Sequence, residues 1–113
     1  MSMRDDAISL KDMLDHAREA VTLLRDTNRE AFRDQRVLQL ALTRLVEIVG
    51  EAANRISGPT RQEHPEVPWP QIVGMRNRLI HGYDVIDYDL LWDTVTGDLP
   101  ELIAVLERIV EEN

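Results

Sequence analysis

The chain has 113 residues, a formal charge of −8, 43% hydrophobic and 4% aromatic residues, and no cysteine. That length supports one core, so a single domain over 1–113 is expected, and the apolar content is too high and too periodic for disorder. Without cysteine there is no disulfide framework, thiolate nucleophile, Cys-type zinc site or iron–sulfur cluster, and any chemistry must come from His, Arg, Tyr, carboxylates or hydroxyls.

Helical periodicity dominates the pattern. The stripe Ile8, Leu10, Met13, Leu14, Ala17, Val21 and Leu24, with Asp5, Asp6 and Asp12 near its start, predicts a first helix over about 5–26. A second stripe runs through Phe32, Leu38, Ala41, Leu42, Leu45, Ile48, Val49, Ala52 and Ile56, and predicts one long helix broken by Ser57, Gly58 and Pro59. Residues 57–70 carry Pro59, Pro65, Pro68 and Pro70 and read as the one substantial loop. Pro70 suits the first turn of a short third helix over about 70–81, with Ile72, Val73, Met75, Leu79 and Ile80 as its apolar positions and Gly82 as its stop. A fourth helix starts near Asp87 and carries Leu90, Leu91 and Val95. Gly97, Asp98 and Pro100 predict a break before the last helix, which holds Leu102, Ile103, Leu106, Ile109 and Val110. No strand-like alternation is visible, and the predicted class is all-α, an up-and-down bundle of four to five helices. Gly50 and Gly74 each cost a helix about 1 kcal/mol against alanine, which close helix–helix approach would explain. With Ala52 and Ala53, Gly50 suggests a small-residue patch facing either the third helix or a second protomer.

Charge is unevenly spread, with the entire excess of −8 in residues 83–113. Of the 13 basic residues all but Lys11 are arginine, which suits directional contacts to carboxylate or phosphate. An acidic protein binds bulk nucleic acid poorly, so any nucleic-acid site must be local. Residues 1–12 are too charged for a signal peptide, and no apolar run approaches the roughly 20 residues of a membrane span. A cytoplasmic protein without a membrane partner is the expectation.

Residues 75–84 read Met-Arg-Asn-Arg-Leu-Ile-His-Gly-Tyr-Asp and crowd two arginines, a histidine and a tyrosine around one helix end. On an ideal helix Arg76 and His81 lie about 140° apart, whereas Asn77 and His81 share a face, so Asn77 is placed to fix the imidazole. Arg76 reaches the same atom only if its stem curls to the helix end or the helix unwinds. The group suits RNA transesterification: a ribose 2′-OH needs a base with a pKa near neutrality, and the developing phosphorane charge needs a fixed cation. A second proton-transfer group is also required for the leaving 5′-oxygen, and a two-fold dimer sharing one cleft supplies it.

Each residue also has an architectural reading. A histidine before glycine commonly ends a helix, and arginine on a short helix is commonly solvated or ion-paired. His16 and His64 read as surface or capping residues, and Trp69 and Trp92 as anchors. The carboxylates Asp84, Asp87, Asp89 and Asp93 lack a glycine-bearing calcium-loop pattern, and Asp87 reads equally as a cap, so no metal and no cofactor is expected.

The segments Gly50-Glu51-Ala52-Ala53, His64-Pro65-Glu66-Val67-Pro68-Trp69 and Met75-Arg76-Asn77-Arg78-Leu79-Ile80-His81-Gly82-Tyr83 resemble, in that order, the HepT-like (DUF86-type) branch of the HEPN superfamily. Its Arg-x4-His-x-Tyr motif fits Arg76, His81 and Tyr83 without a gap. The resemblance implies an all-helical homodimer whose facing motifs form a metal-independent endoribonuclease, the toxin of a type VII HEPN/MNT toxin–antitoxin pair. It also implies a minimal nucleotidyltransferase antitoxin that transfers AMP to the motif tyrosine. On that footing Arg76 and His81 are the catalytic pair and Tyr83 the modification site. Asn77 orients, and Arg78 is assigned to RNA binding. An adenylyl group on Tyr83 would put an anion and a bulky nucleoside beside His81, excluding a substrate phosphate by charge and by size. The alternatives are a non-catalytic HEPN module that binds a nucleotidyltransferase or nucleotide, and a helical subunit with no site.

Overall fold

The apolar stripes fold into a bundle of helical rods, seen in a computed structural model that describes residues 3–81 and 85–111; the side chains of Met3, Arg4 and His81 lie outside that description. The elements in chain order are α1 (Met3–Leu24), α2 (Arg29–Phe32), α3 (Arg36–Asn54), α4 (Gly58–Glu63), α5 (Trp69–Val73) and α6 (Met75–Leu79). A two-residue antiparallel ladder follows, β1 (Ile80–His81) with β2 (Val85–Ile86), then α7 (Tyr88–Asp93), a π-helical turn (Thr94–Asp98) and α8 (Leu99–Glu111). α1 packs between α3 and α8, and α3 carries α5 and α6 on its other side. Met13, Ala17, Leu42, Val46, Val49, Leu91, Leu99 and Leu106 are fully enclosed between these rods.

Several expectations are corrected. The second stripe is two helices, because Phe32 ends α2 and a turn at 33–35 precedes α3. Buried Gln39 stabilises that turn by donating its amide to the carbonyls of Phe32 (2.9 Å) and Arg33 (3.0 Å). Residues 57–70 are not all loop: α4 starts with Pro59 in its first turn, where the missing N–H would have no partner anyway. Its start is fixed from far away in sequence, since buried Asp6 accepts from the Ser57 N–H (3.0 Å), the Ser57 hydroxyl (2.5 Å) and the Thr60 hydroxyl (2.6 Å). Burial opposes the charge on Asp6, but these donors outweigh it and hold its carboxyl below the usual carboxylate range.

The third helix is split at Gly74 and ends at Leu79, two residues before His81. The expected break at Gly97–Pro100 is instead one widened turn inside a continuous rod. Pro100 has no N–H to return to the preceding turn, and the ladder shifts to i→i−5 there, with the Thr96 hydroxyl donating to the Trp92 carbonyl (2.7 Å). The two-residue ladder was also unforeseen; it is too short to produce an alternating pattern.

Other readings hold. The Asp87 side chain caps α7 through the Leu90 N–H (2.9 Å). Trp69 is buried, and Trp92 packs on Phe32 with ring centroids 5.6 Å apart. Gly50 faces the third helix: an added Cβ would lie 3.1 Å from the Ile72 carbonyl oxygen and 3.4 Å from that of Val73. The reading of Gly74 fails: it does not mark an approach between separate rods, because its nearest backbone neighbour is the Pro70 carbonyl of the helix it ends.

Candidate functional site

α3 turns Glu47, Gly50, Glu51 and Asn54 toward one side, at the i, i+3, i+4, i+7 spacing of a single helical face. Because Gly50 has no side chain, α5 and α6 settle closely on that face, and Val73, Arg76 and Asn77 complete a shallow groove of about 170 Å³. Within it the Arg76 Nε donates to Glu47 Oε2. The other carboxylate oxygen of Glu47 accepts from Arg44 Nη1 at 2.6 Å, and Arg44 also reaches Glu51 at 3.4 Å. Burial raises the pKa of Glu47, yet the hydrogen bonds and charges of Arg44 and Arg76 outweigh it and leave the carboxyl ionised below its ordinary range. Glu47 reciprocally raises the pKa of Arg44. Half of the Arg76 side chain is exposed, and its Nη groups make no hydrogen bond among the described residues.

The structure therefore brings Arg76 and Asn77 together and separates Arg78 from them. Arg78 lies across α6, where its Nη2 donates to the Gln71 carbonyl (2.9 Å). There it lines a larger groove of about 390 Å³ with Glu66, Asp98 and Glu101 on its rim and Ile72, Met75 and Leu102 on its floor. His81 has its backbone in β1, paired with Val85. Its imidazole, and Gly82, Tyr83 and Asp84 with the stop, modification and carboxylate roles expected of them, lie outside the described residues. The helical face that Asn77 and His81 were to share is not present: α6 ends at Leu79, and Ile80 is extended at φ −104° and ψ 122°. Unwinding of the helix, one of the two routes by which Arg76 and His81 could meet, begins two residues earlier than Gly82.

Other candidates resolve into architecture. Asp89 and Asp93 pair with Arg29, and Asp89 also with Arg33 (3.0 Å), tying α7 to α2. His16 Nδ1 lies 2.7 Å from the Asp12 carbonyl within α1, and His64 Nδ1 lies 3.4 Å from Glu66. Among the described residues no three carboxylates or histidines gather as a cation site, and no helix is long and apolar enough to cross a membrane.

Sequence reasoning missed Glu47. Its signal was the glycine three residues on: polar side chains on the face that Gly50 presents to a close neighbour must meet whatever that neighbour carries.

Comparison with known proteins gives the family. A protein of Methanocaldococcus jannaschii named as a candidate RNase is 39% identical over 109 residues, covering 96% of this chain and all of that one. A candidate ribonuclease HepT of Thermococcus cleftensis is 38% identical over 105 residues, covering 89% of this chain and 96% of its own. A candidate RNase of Caldanaerobacter subterraneus is 37% identical over 83 residues, 74% of each chain. No solved structure matches the chain significantly. The family model described as ribonuclease HepT-like matches residues 13–109, a span that contains α3, the α5–α6 groove and the whole Arg-x4-His-x-Tyr segment, and the chain belongs to that family.

Proposed function

We propose that this protein is a metal-independent endoribonuclease that works as a homodimer in the cytoplasm, with Arg76 and His81 as its catalytic pair. The observation that carries the reading is the state of Arg76: a half-exposed guanidinium in a groove, anchored through Nε and with its Nη groups unused among the described residues. In the reaction, the His81 imidazole takes the proton from a ribose 2′-OH, the 2′-oxygen attacks phosphorus, and the bond to the 5′-oxygen breaks. Arg76 holds the charge that builds on the phosphoryl oxygens. The imidazolium of a second copy returns a proton to the 5′-oxygen, leaving a 2′,3′-cyclic phosphate and a free 5′-OH. Asn77, which lines the groove beside Arg76, orients the substrate phosphate, and Arg78 makes a weaker RNA contact from the far side of α6.

The same reading makes the protein the toxin of a HEPN/MNT toxin–antitoxin pair. A cognate nucleotidyltransferase neutralises it by adding AMP to Tyr83.

The test is incubation of the purified protein with RNA in EDTA. Cyclic phosphate ends should form and be lost in Arg76→Ala and His81→Ala; undiminished cleavage by either variant rejects the catalytic pair. Protein co-expressed with the transferase should gain AMP by mass spectrometry, and Tyr83→Phe should not. A binding-only module is the second reading, favoured by the carboxylate already holding Arg76. It predicts a tight complex with the transferase and no cyclic ends.

A further inference from the structure

We propose that Glu47 is the positioning residue for Arg76, holding the guanidinium by Nε so that both Nη groups are left as a two-pronged donor for the scissile phosphate. This inference rests on the ribonuclease reading above.

The geometry distinguishes Glu47 from the other paired carboxylates. Those of Glu107, Asp89, Asp93 and Glu51 are 40–58% exposed, whereas Glu47 is only 20% exposed. Each of its oxygens holds a different guanidinium, Arg44 on one and Arg76 on the other. The carboxylate is thus tethered from its own helix by Arg44, which restricts its swing away from Arg76. With Arg76 half in solvent the pair is screened and adds little to stability, so joining α3 to α6 is a weak reason for this arrangement; α5 is already fixed there by buried Trp69 and Ile72. What the pair does accomplish is to restrict a long side chain that is half in solvent. A guanidinium free to rotate must be immobilised when the phosphorane forms, and one already anchored avoids that loss.

Glu47 also acts against substrate. A fixed carboxylate next to the phosphate site repels RNA in the ground state, while its gain comes where charge builds on phosphorus. Orientation and repulsion therefore separate in the kinetics.

The experiment measures single-turnover and steady-state cleavage of a short RNA by the wild-type protein, Glu47→Gln, Glu47→Asp, Arg76→Ala and the double variant Glu47→Gln/Arg76→Ala. Glu107→Gln, which breaks the Arg18 pair between α1 and α8, is the ion-pair control and should cleave as wild type. Glu47→Gln keeps shape but not charge; its kcat should fall about tenfold or more, with KM unchanged or lower. Glu47→Asp, which keeps the charge one methylene back, should recover part of kcat. In the Arg76→Ala background Glu47→Gln should cost nothing further, since the residue acts only through Arg76.

A kcat within twofold of wild type for Glu47→Gln overturns the proposal, as does an equal further loss on top of Arg76→Ala. If Glu47→Gln is poorly folded by circular dichroism, Glu47→Asp decides by the same criteria. Cleavage by wild type that is lost in Arg76→Ala but indifferent to Glu47 sinks this inference alone. Absence of cleavage by wild type sinks the ribonuclease reading and this inference with it.

Discussion

The two sides of the α5–α6 segment offer a phosphate opposite environments, although the residues that define them are chain neighbours. Arg76 and Asn77 face α3, where Arg44 and Arg76 flank one carboxylate. Arg78, two positions on, faces a groove rimmed by Glu66, Asp98 and Glu101 and spends a donor on the Gln71 carbonyl. Two helical steps are about 200° of rotation, so alternate arginines on one turn cannot share a face. Density of basic residues along a sequence is therefore not density in space, and the acidic excess of the C-terminal segment contributes two of the three carboxylates on that rim, Asp98 and Glu101.

The sharpest way to break this contrast is to remove the two arginines separately. Arg76→Ala should lower kcat/KM for RNA by about a hundredfold or more, equivalent to roughly 2.7 kcal/mol of transition-state stabilisation. Arg78→Ala should stay within about threefold, because its surroundings already repel RNA. Equal losses in the two variants, measured on one substrate at one ionic strength, would erase the distinction between the sides.

A stability probe addresses the acidic side. Asp6 is 3% exposed and fixes the start of α4, the element that leads to Glu66. Asp6→Ala leaves the Ser57 and Thr60 donors without their acceptor and should cost about 1–3 kcal/mol by urea denaturation at pH 7, while cleavage assayed well below the melting temperature persists. The sign of the pH effect follows from the depressed folded-state value. The contribution of Asp6 is present above its ordinary value of 3.8 and is lost as pH falls through the lower folded value. The gap between wild type and Asp6→Asn should therefore narrow between pH 5 and pH 2. A constant gap would mean that the carboxylate charge is irrelevant to the cluster.

Gly50→Ala tests the closeness of the α3 side. The substitution gains about 1 kcal/mol in helix propensity but puts a methyl 3.1 Å from a backbone carbonyl of α5. α5 cannot retreat cheaply, since Trp69 is buried with its indole N–H donating to the Arg61 (3.2 Å) and His64 (3.1 Å) carbonyls. The net expectation is a loss of up to about 1 kcal/mol in thermal unfolding and a several-fold drop in cleavage, because any shift of α5 carries Arg76 with it. Unchanged activity would show that the groove tolerates the displacement.

These contrasts were partly legible in the sequence. Long apolar stripes announce α1, α3 and α8, because burial of one face imposes the helical period, and the local density of Arg76, Asn77 and Arg78 points to the segment that lines both grooves. α4 is hidden because its start is held by Asp6, 51 positions before Ser57, and because Pro59, a breaker by sequence, is a starter here. The break at 33–35 was hidden because Phe32 fits the stripe that it terminates. Glu47 lies 29 positions from Arg76, and no local rule pairs them. α6 ends at Leu79 with no glycine or proline at the next position to announce it; the following ladder and the Asp87 N–H donating to the Leu79 carbonyl at 2.8 Å supply the competing hydrogen bonds.

The smallest expected effect comes from the same substitution made at a second glycine. Gly97 lies in the π-helical turn beside Asp98, on the acidic side, and an added Cβ there meets nothing within 4 Å. Gly97→Ala removes backbone freedom from the unfolded chain without a clash, so it should stabilise by about 0.4–1 kcal/mol, read as a rise of a few degrees in Tm for a domain of this size. Cleavage should be unaltered, because the turn borders the groove of Arg78 and not that of Arg76. One methyl would then lower stability and activity at Gly50 but raise stability alone at Gly97. A fall in cleavage for Gly97→Ala would instead make the acidic groove as important to cleavage as the α3 side, and the functional contrast between the two sides would fail even with the fold intact.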